Sequence, residues 1–100
     1  MLNKRYFKTV DECEVSFKVE PEGAETVELF IESNGWEPVP MKALKSGPFK
    51  VKMRLPLEQQ IQFRYRVNED WWINDEAADA YVANEHGGEN SVVDTSRNGS

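Results

Sequence analysis

Cysteine and histidine are almost missing from this sequence. Cys13 is its only cysteine and His86 its only histidine in 100 residues. One cysteine excludes an intrachain disulfide framework and a cysteine-based zinc site, and the flanking Glu12 and Glu14 disfavour a thiolate there. One histidine, in a glycine-flanked loop with no serine or cysteine placed beside it, offers no route to nucleophilic catalysis. Nor does it provide a His-x-His or His-x-x-x-His metal spacing. A run of about 18 apolar residues is also lacking, so no transmembrane helix is expected. No apolar stretch follows Met1-Leu2-Asn3-Lys4-Arg5, so no secretory signal is expected and the cytoplasm is the expected compartment. No Lys/Arg cluster breaks the formal net charge of −6, which argues against nucleic acid and membrane partners and for a neutral ligand or a protein. No cofactor is implied.

What is present is enough for one domain, over residues 1–94, with a polar tail at 95–100 expected to fray. Hydrophobic residues make up 39% of the chain and aromatics 11%, which suffices for one compact core. Period-two alternation dominates. Val15, Phe17 and Val19 alternate with polar residues, as do Val27, Leu29 and Ile31; Phe30 interrupts the polar face of that second segment. Phe49, Val51, Met53 and Leu55 alternate with Lys50, Lys52 and Arg54. Ile61, Phe63, Tyr65 and Val67 alternate with Gln62, Arg64 and Arg66. Turn signals separate these runs at Pro21-Glu22-Gly23, Asn34-Gly35, Ser46-Gly47-Pro48 and Asn68-Glu69-Asp70. Pro38 and Pro40 argue against a central strand between them. Residues 74–90 read as irregular, with at most one helical turn from Asp75 to Ala80, and Ser91-Val92-Val93 as a last strand. Short, regularly spaced strands without a useful helix point to an all-β sandwich or barrel.

Eighteen acidic residues leave no basis for singling out a glycosidase pair, and an enzyme is not expected. The three tryptophans carry more. Trp36 follows a turn, outside any alternating core pattern. Trp71 and Trp72 are adjacent, so on a regular strand one points inward and the other outward. Each tryptophan has two readings: packing into the fold, or an exposed indole on which the C–H face of a sugar ring stacks. Arg64 is either part of a solvated strand face or a donor to sugar hydroxyls. Asn90 is either a turn residue or a donor–acceptor for a hydroxyl pair.

Taken in order, Asn34-Gly35-Trp36, the strand from Gln62 to Val67, Trp72-Ile73-Asn74-Asp75 and Gly87-Gly88-Glu89-Asn90-Ser91-Val92-Val93 resemble the isoamylase N-terminal, or early set, family. This is carbohydrate-binding module family 48, which includes the glycogen-binding domain of the AMP-activated protein kinase β subunit. The likeness runs from about Val15 to Val93. It implies an immunoglobulin-like β-sandwich that binds glycogen, starch or maltooligosaccharides without cleaving them. It also implies that Trp36 is the first stacking platform and Trp72 the second. That match takes the Asn68–Asp70 loop to be one residue longer than in the relatives; without such an insertion the second platform is Trp71. Arg64 and Asn90 would supply hydrogen bonds, with His86 flanking the sugar. The family's Gly-Asp-Phe before Asn-Gly-Trp is replaced here by Ile31-Glu32-Ser33. A carbohydrate-active enzyme in trans is a possible partner. The alternative is a protein-interaction sandwich that has lost sugar binding and packs on a partner enzyme.

Overall fold

Wherever the sequence alternates at period two, the chain forms a strand. The computed structural model describes residues 2–7, 9–85 and 87–96. Its strands are β1 (Leu2–Tyr6), β2 (Glu12–Val19), β3 (Val27–Ile31), β4 (Val39–Pro40) and β5 (Lys42–Ala43), then β6 (Phe49–Pro56), β7 (Gln60–Val67), β8 (Trp71–Ile73), β9 (Ala80–Ala83) and β10 (Glu89–Asp94). A 3-10 turn, Glu32–Asn34, follows β3.

All pairings are antiparallel, and they make two sheets. One has the order β1-β2-β6-β5; the other has the order β4-β3-β7-β10-β9. In the second sheet β7 is central. β3 runs along one edge of it, from Phe63 to Val67. Its other edge is shared end to end: β10 pairs with Gln60–Phe63 and β8 with Tyr65–Val67.

The apolar face of each strand turns toward the other sheet. Cys13, Val15, Phe17 and Leu55 of the first sheet are buried with Val27, Leu29, Ile31, Ile61, Phe63, Tyr65, Val67 and Val93 of the second in one core. The Phe17 and Phe63 rings meet edge-on at 5.0 Å between the layers. Lys4 Nζ reaches Asp79 Oδ2 at 2.6 Å, tying the β1 edge of one sheet to the start of β9 in the other. The chain is thus an all-β protein of two antiparallel sheets around one core. Among the described residues, no helix is long and apolar enough to cross a membrane.

Pro40 sits in no central strand but in a two-residue one at the sheet edge, where its missing N–H costs no ladder bond. Other local expectations are revised. Residues 75–80 form no helical turn; Asp75 Oδ1 accepts the Ala77 N–H at 2.8 Å, which closes an Asx turn instead. Ala80–Ala83 then pairs with β10, although its residues are all exposed. The expected tail begins too early. Thr95 is fully buried; its hydroxyl donates to Pro56 O at 2.7 Å and accepts from Gln59 N at 3.1 Å, pinning the β6–β7 turn. Residues 97–100 lie outside the described ones.

Candidate functional site: an aromatic groove on the second sheet

Gln62, Arg64 and Arg66 project from the outer face of β7, between the buried Ile61, Phe63, Tyr65 and Val67. Register sets their neighbours. Phe30 lies opposite Arg64, while Glu28 and Trp72 lie opposite Arg66 from its two sides. Residues directly opposite share a face, so Phe30 and Trp72 lean over β7 from its two flanks. Their rings meet edge-on at 4.7 Å.

The two arginines divide their work. Arg66 donates through Nε and Nη2 to Glu28 Oε1, at 3.0 and 2.6 Å, and stands over the Phe30 ring at 4.9 Å. Arg64 rests on the Trp72 indole at 5.0 Å. Its buried Nε is the one buried side-chain nitrogen or oxygen without a hydrogen-bond partner among the described residues.

Trp36 arrives from the loop after the 3-10 turn. Gly35 has φ 76 and Trp36 itself φ 65. A bulky residue in the left-handed region is an outlier that the surrounding structure must enforce. Four hydrogen bonds enforce it. Gly35 N donates to Glu32 O at 3.1 Å and Trp36 N to Ile31 O at 3.0 Å. Asn34 bonds the Glu37 backbone through both ends of its amide, at 3.2 and 3.3 Å. Ile31 and Glu32, just ahead of this turn, are absorbed by the fold. Ile31 is fully buried in the core, and Glu32 Oε1 accepts the Gln62 N–H at 3.1 Å, fastening the loop to β7.

Asn90 closes the far side. It is only 9% exposed. Its Nδ2 donates to Gln62 Oε1 at 2.9 Å and its Oδ1 accepts from Asn84 Nδ2 at 3.2 Å. Asn84 in turn accepts the Gly88 N–H at 3.0 Å, shaping the β9–β10 loop. Asn90 is therefore part of a polar floor, with one amide hydrogen and one lone-pair direction left for a ligand.

Trp36, Arg64, Trp72 and Asn90, with Phe30 and Gln62, line one open groove of ≈ 480 Å³, which Glu85 also borders. Trp36 is 39% and Trp72 43% exposed there. Trp71 is not part of it. It lies opposite Val67, hence on the inner side of its sheet, yet it stays exposed and outside the residues packed on the core. His86 lies outside the described residues. Another open cleft of ≈ 420 Å³, near Val19, Pro48 and Ile73, contains none of these side chains. Phe30 and Gln62 were not named as site residues from the sequence. The break in polarity at Phe30 was the available signal, and Gln62 becomes visible only through register.

The Asn74-Asp75 motif has a structural duty. Asp75, fully buried, accepts the Tyr65 hydroxyl at 2.7 Å, and its N–H donates to Ser91 Oγ at 2.9 Å. Ser91 Oγ donates to Asn74 Oδ1 at 2.9 Å, and Asn74 Nδ2 to Glu89 O at 2.8 Å. The Tyr81 hydroxyl also donates to Asp75 O. This network fixes the segment after β8 against β10, and thereby fixes the strand that carries Trp72. Among the described residues, no group of three His, Cys, Asp or Glu side chains is arranged to hold a metal ion.

No model of a known protein family matches the chain, and no curated protein matches it.

Proposed function

We propose that this protein is a non-catalytic α-glucan-binding module of the early-set, immunoglobulin-like type, acting in the cytoplasm on glycogen, starch or maltooligosaccharides. The observation that carries the reading is that Trp36, Arg64, Trp72 and Asn90, far apart in the chain, line one groove. Two half-exposed indoles give flat apolar platforms for pyranose rings. The half-buried Arg64 side chain and the residual capacity of Asn90 give hydrogen-bonding groups beside the platforms, the combination of apolar surface and few convergent polar groups that small-ligand sites use. The left-handed backbone at Trp36 also supports it, because strain of this kind gathers where a side chain must be presented to a ligand.

The groove is open, so affinity for a flexible, hydrated sugar is modest. Titration with maltoheptaose, followed by heat and by tryptophan fluorescence, tests the reading. Saturable binding is expected, weakened about tenfold or more in Trp36→Ala, a loss of about 1.4 kcal/mol or more. Absence of any response at millimolar sugar would sink it. A protein-interaction sandwich without sugar binding is favoured if Trp36 is buried beneath an apolar patch; its exposure weighs against that alternative.

A further inference from the structure

The polar side chains that line the groove offer hydrogen-bond donors in excess. Arg64 is donor-only, and Gln62 commits its carbonyl oxygen to Asn90 Nδ2 at 2.9 Å, which leaves its amide hydrogens. Asn90 keeps one amide hydrogen and one lone-pair direction. A sugar hydroxyl placed among them has its own proton to donate as well. Glu85 is the one carboxylate of the lining, and an ionised carboxylate only accepts.

Asn84 anchors this carboxylate. Its N–H donates to Gly88 O at 2.9 Å, its Oδ1 accepts the Gly88 N–H at 3.0 Å, and its Nδ2 donates to Asn90 Oδ1 at 3.2 Å. Glu85, the next residue, therefore leaves the hairpin from a fixed point at the border of the groove. The acids on the other flank of β7 are already engaged: Glu28 holds Arg66, and Glu32 accepts the Gln62 N–H. Glu85 and Arg64 instead line one groove without an ion pair, either to each other or to any other described residue. Opposite charges left unpaired in an open groove suit a ligand that donates to one and accepts from the other.

On the sugar-binding reading, on which this rests, we propose that Glu85 and Arg64 together hold the vicinal secondary hydroxyls of one glucose unit. Glu85 thereby restricts the groove to glucans in which both of these hydroxyls are free. The secondary hydroxyls of glucose are equatorial and lie near the plane of the ring. When the C–H face of the ring stacks on an indole, they point sideways, toward the border of the platform. One hydroxyl accepts from the Arg64 guanidinium and its neighbour donates to Glu85. Each bond involves a charged group, and such bonds are about twice as strong as neutral ones.

Calorimetric titration with maltoheptaose, and with two analogues that each lack one of the two secondary hydroxyls on every unit, tests this. The native protein binds the analogue without the donating hydroxyl about tenfold more weakly than maltoheptaose. Glu85→Ala binds maltoheptaose about tenfold more weakly, yet loses nothing further on that analogue, because the partner is already gone. A merely structural role would not produce this coupling. Glu85→Gln, which keeps an acceptor oxygen, recovers part of the loss. Glu89→Ala, exposed on the same hairpin but outside the groove, leaves every affinity unchanged. Maltoheptaose binding that Glu85→Ala leaves intact, or losses that add without coupling, would overturn this proposal alone. No binding of maltoheptaose by the native protein would overturn the sugar-binding reading, and this proposal with it.

Discussion

Asn34 grips the backbone of Glu37 twice: the Glu37 N–H donates to its Oδ1 at 3.2 Å, and its Nδ2 donates to the Glu37 carbonyl at 3.3 Å. Trp36 lies inside this two-bond bracket, in a backbone conformation that a bulky residue does not choose for itself. Asn34→Ala removes both bonds and frees Gly35 and Trp36 to leave the left-handed region. Stability falls by only about 1 kcal/mol, because both bonds are exposed. Maltoheptaose affinity falls several-fold because the platform is no longer held. Urea unfolding and sugar titration of the same variant separate the two effects.

Phe30 buttresses Trp72 from across β7, edge-on at 4.7 Å. Phe30→Ser keeps the strand but removes the buttress, so the Trp72 indole gains rotamer freedom. The contact lies within the range of about 0.5–1.5 kcal/mol for aromatic pairs, and the stability loss falls there. Sugar binding weakens, and tryptophan fluorescence anisotropy shows faster local motion. Unchanged fluorescence and unchanged affinity would remove Phe30 from the site.

Burial pushes the Tyr65 hydroxyl far above the ordinary tyrosine range, with the Asp75 carboxylate adding to the shift by its charge and its hydrogen bond. The neutral phenol is therefore the form the fold holds. Its contribution is complete below the unfolded tyrosine value of about 10 and is lost as pH rises above it, since only the unfolded chain then ionises. Tyr65→Phe costs about 1–3 kcal/mol at neutral pH by removing a hydroxyl that donates to the buried Asp75 carboxylate. It also flattens the alkaline decline. Urea midpoints of both proteins across the alkaline range measure this, and parallel curves would refute it.

Cys13 is fully buried on the core face of β2, and burial raises its thiol above the ordinary value. Because strand residues alternate, Glu12 and Glu14 project from the opposite face, and burial is the chief cause of the raised thiol. A thiol reagent is expected to label Cys13 only when the sandwich opens, at a rate that follows urea concentration as global unfolding does. Rapid labelling of the native protein would show β2 opening locally.

The strands with clean alternation, β2, β3, β6 and β7, were legible because one face of each is buried and the other wet. Ala80–Ala83 was not: both faces of this edge strand are exposed, so no burial pattern marks it, and pairing with β10 alone makes it a strand. Trp36, Arg64, Trp72 and Asn90 were each legible as candidates. The two-sided engagement of Asn90 was not, because it depends on Gln62 arriving from β7 and Asn84 from the loop after β9.

The split edge of β7 has a kinetic consequence. β8 follows β7 through a short hairpin, but β3 and β10 come from distant parts of the chain, so the ladder of β7 is complete only when all three have arrived. Closing such distant contacts places this chain with the slower-folding β topologies. Amide hydrogens in the middle of β7 should exchange with solvent only through global unfolding, while the two-residue strands β4 and β5 exchange through small local openings. The strand that carries Arg64 would then be the last part of the groove to lose its protection.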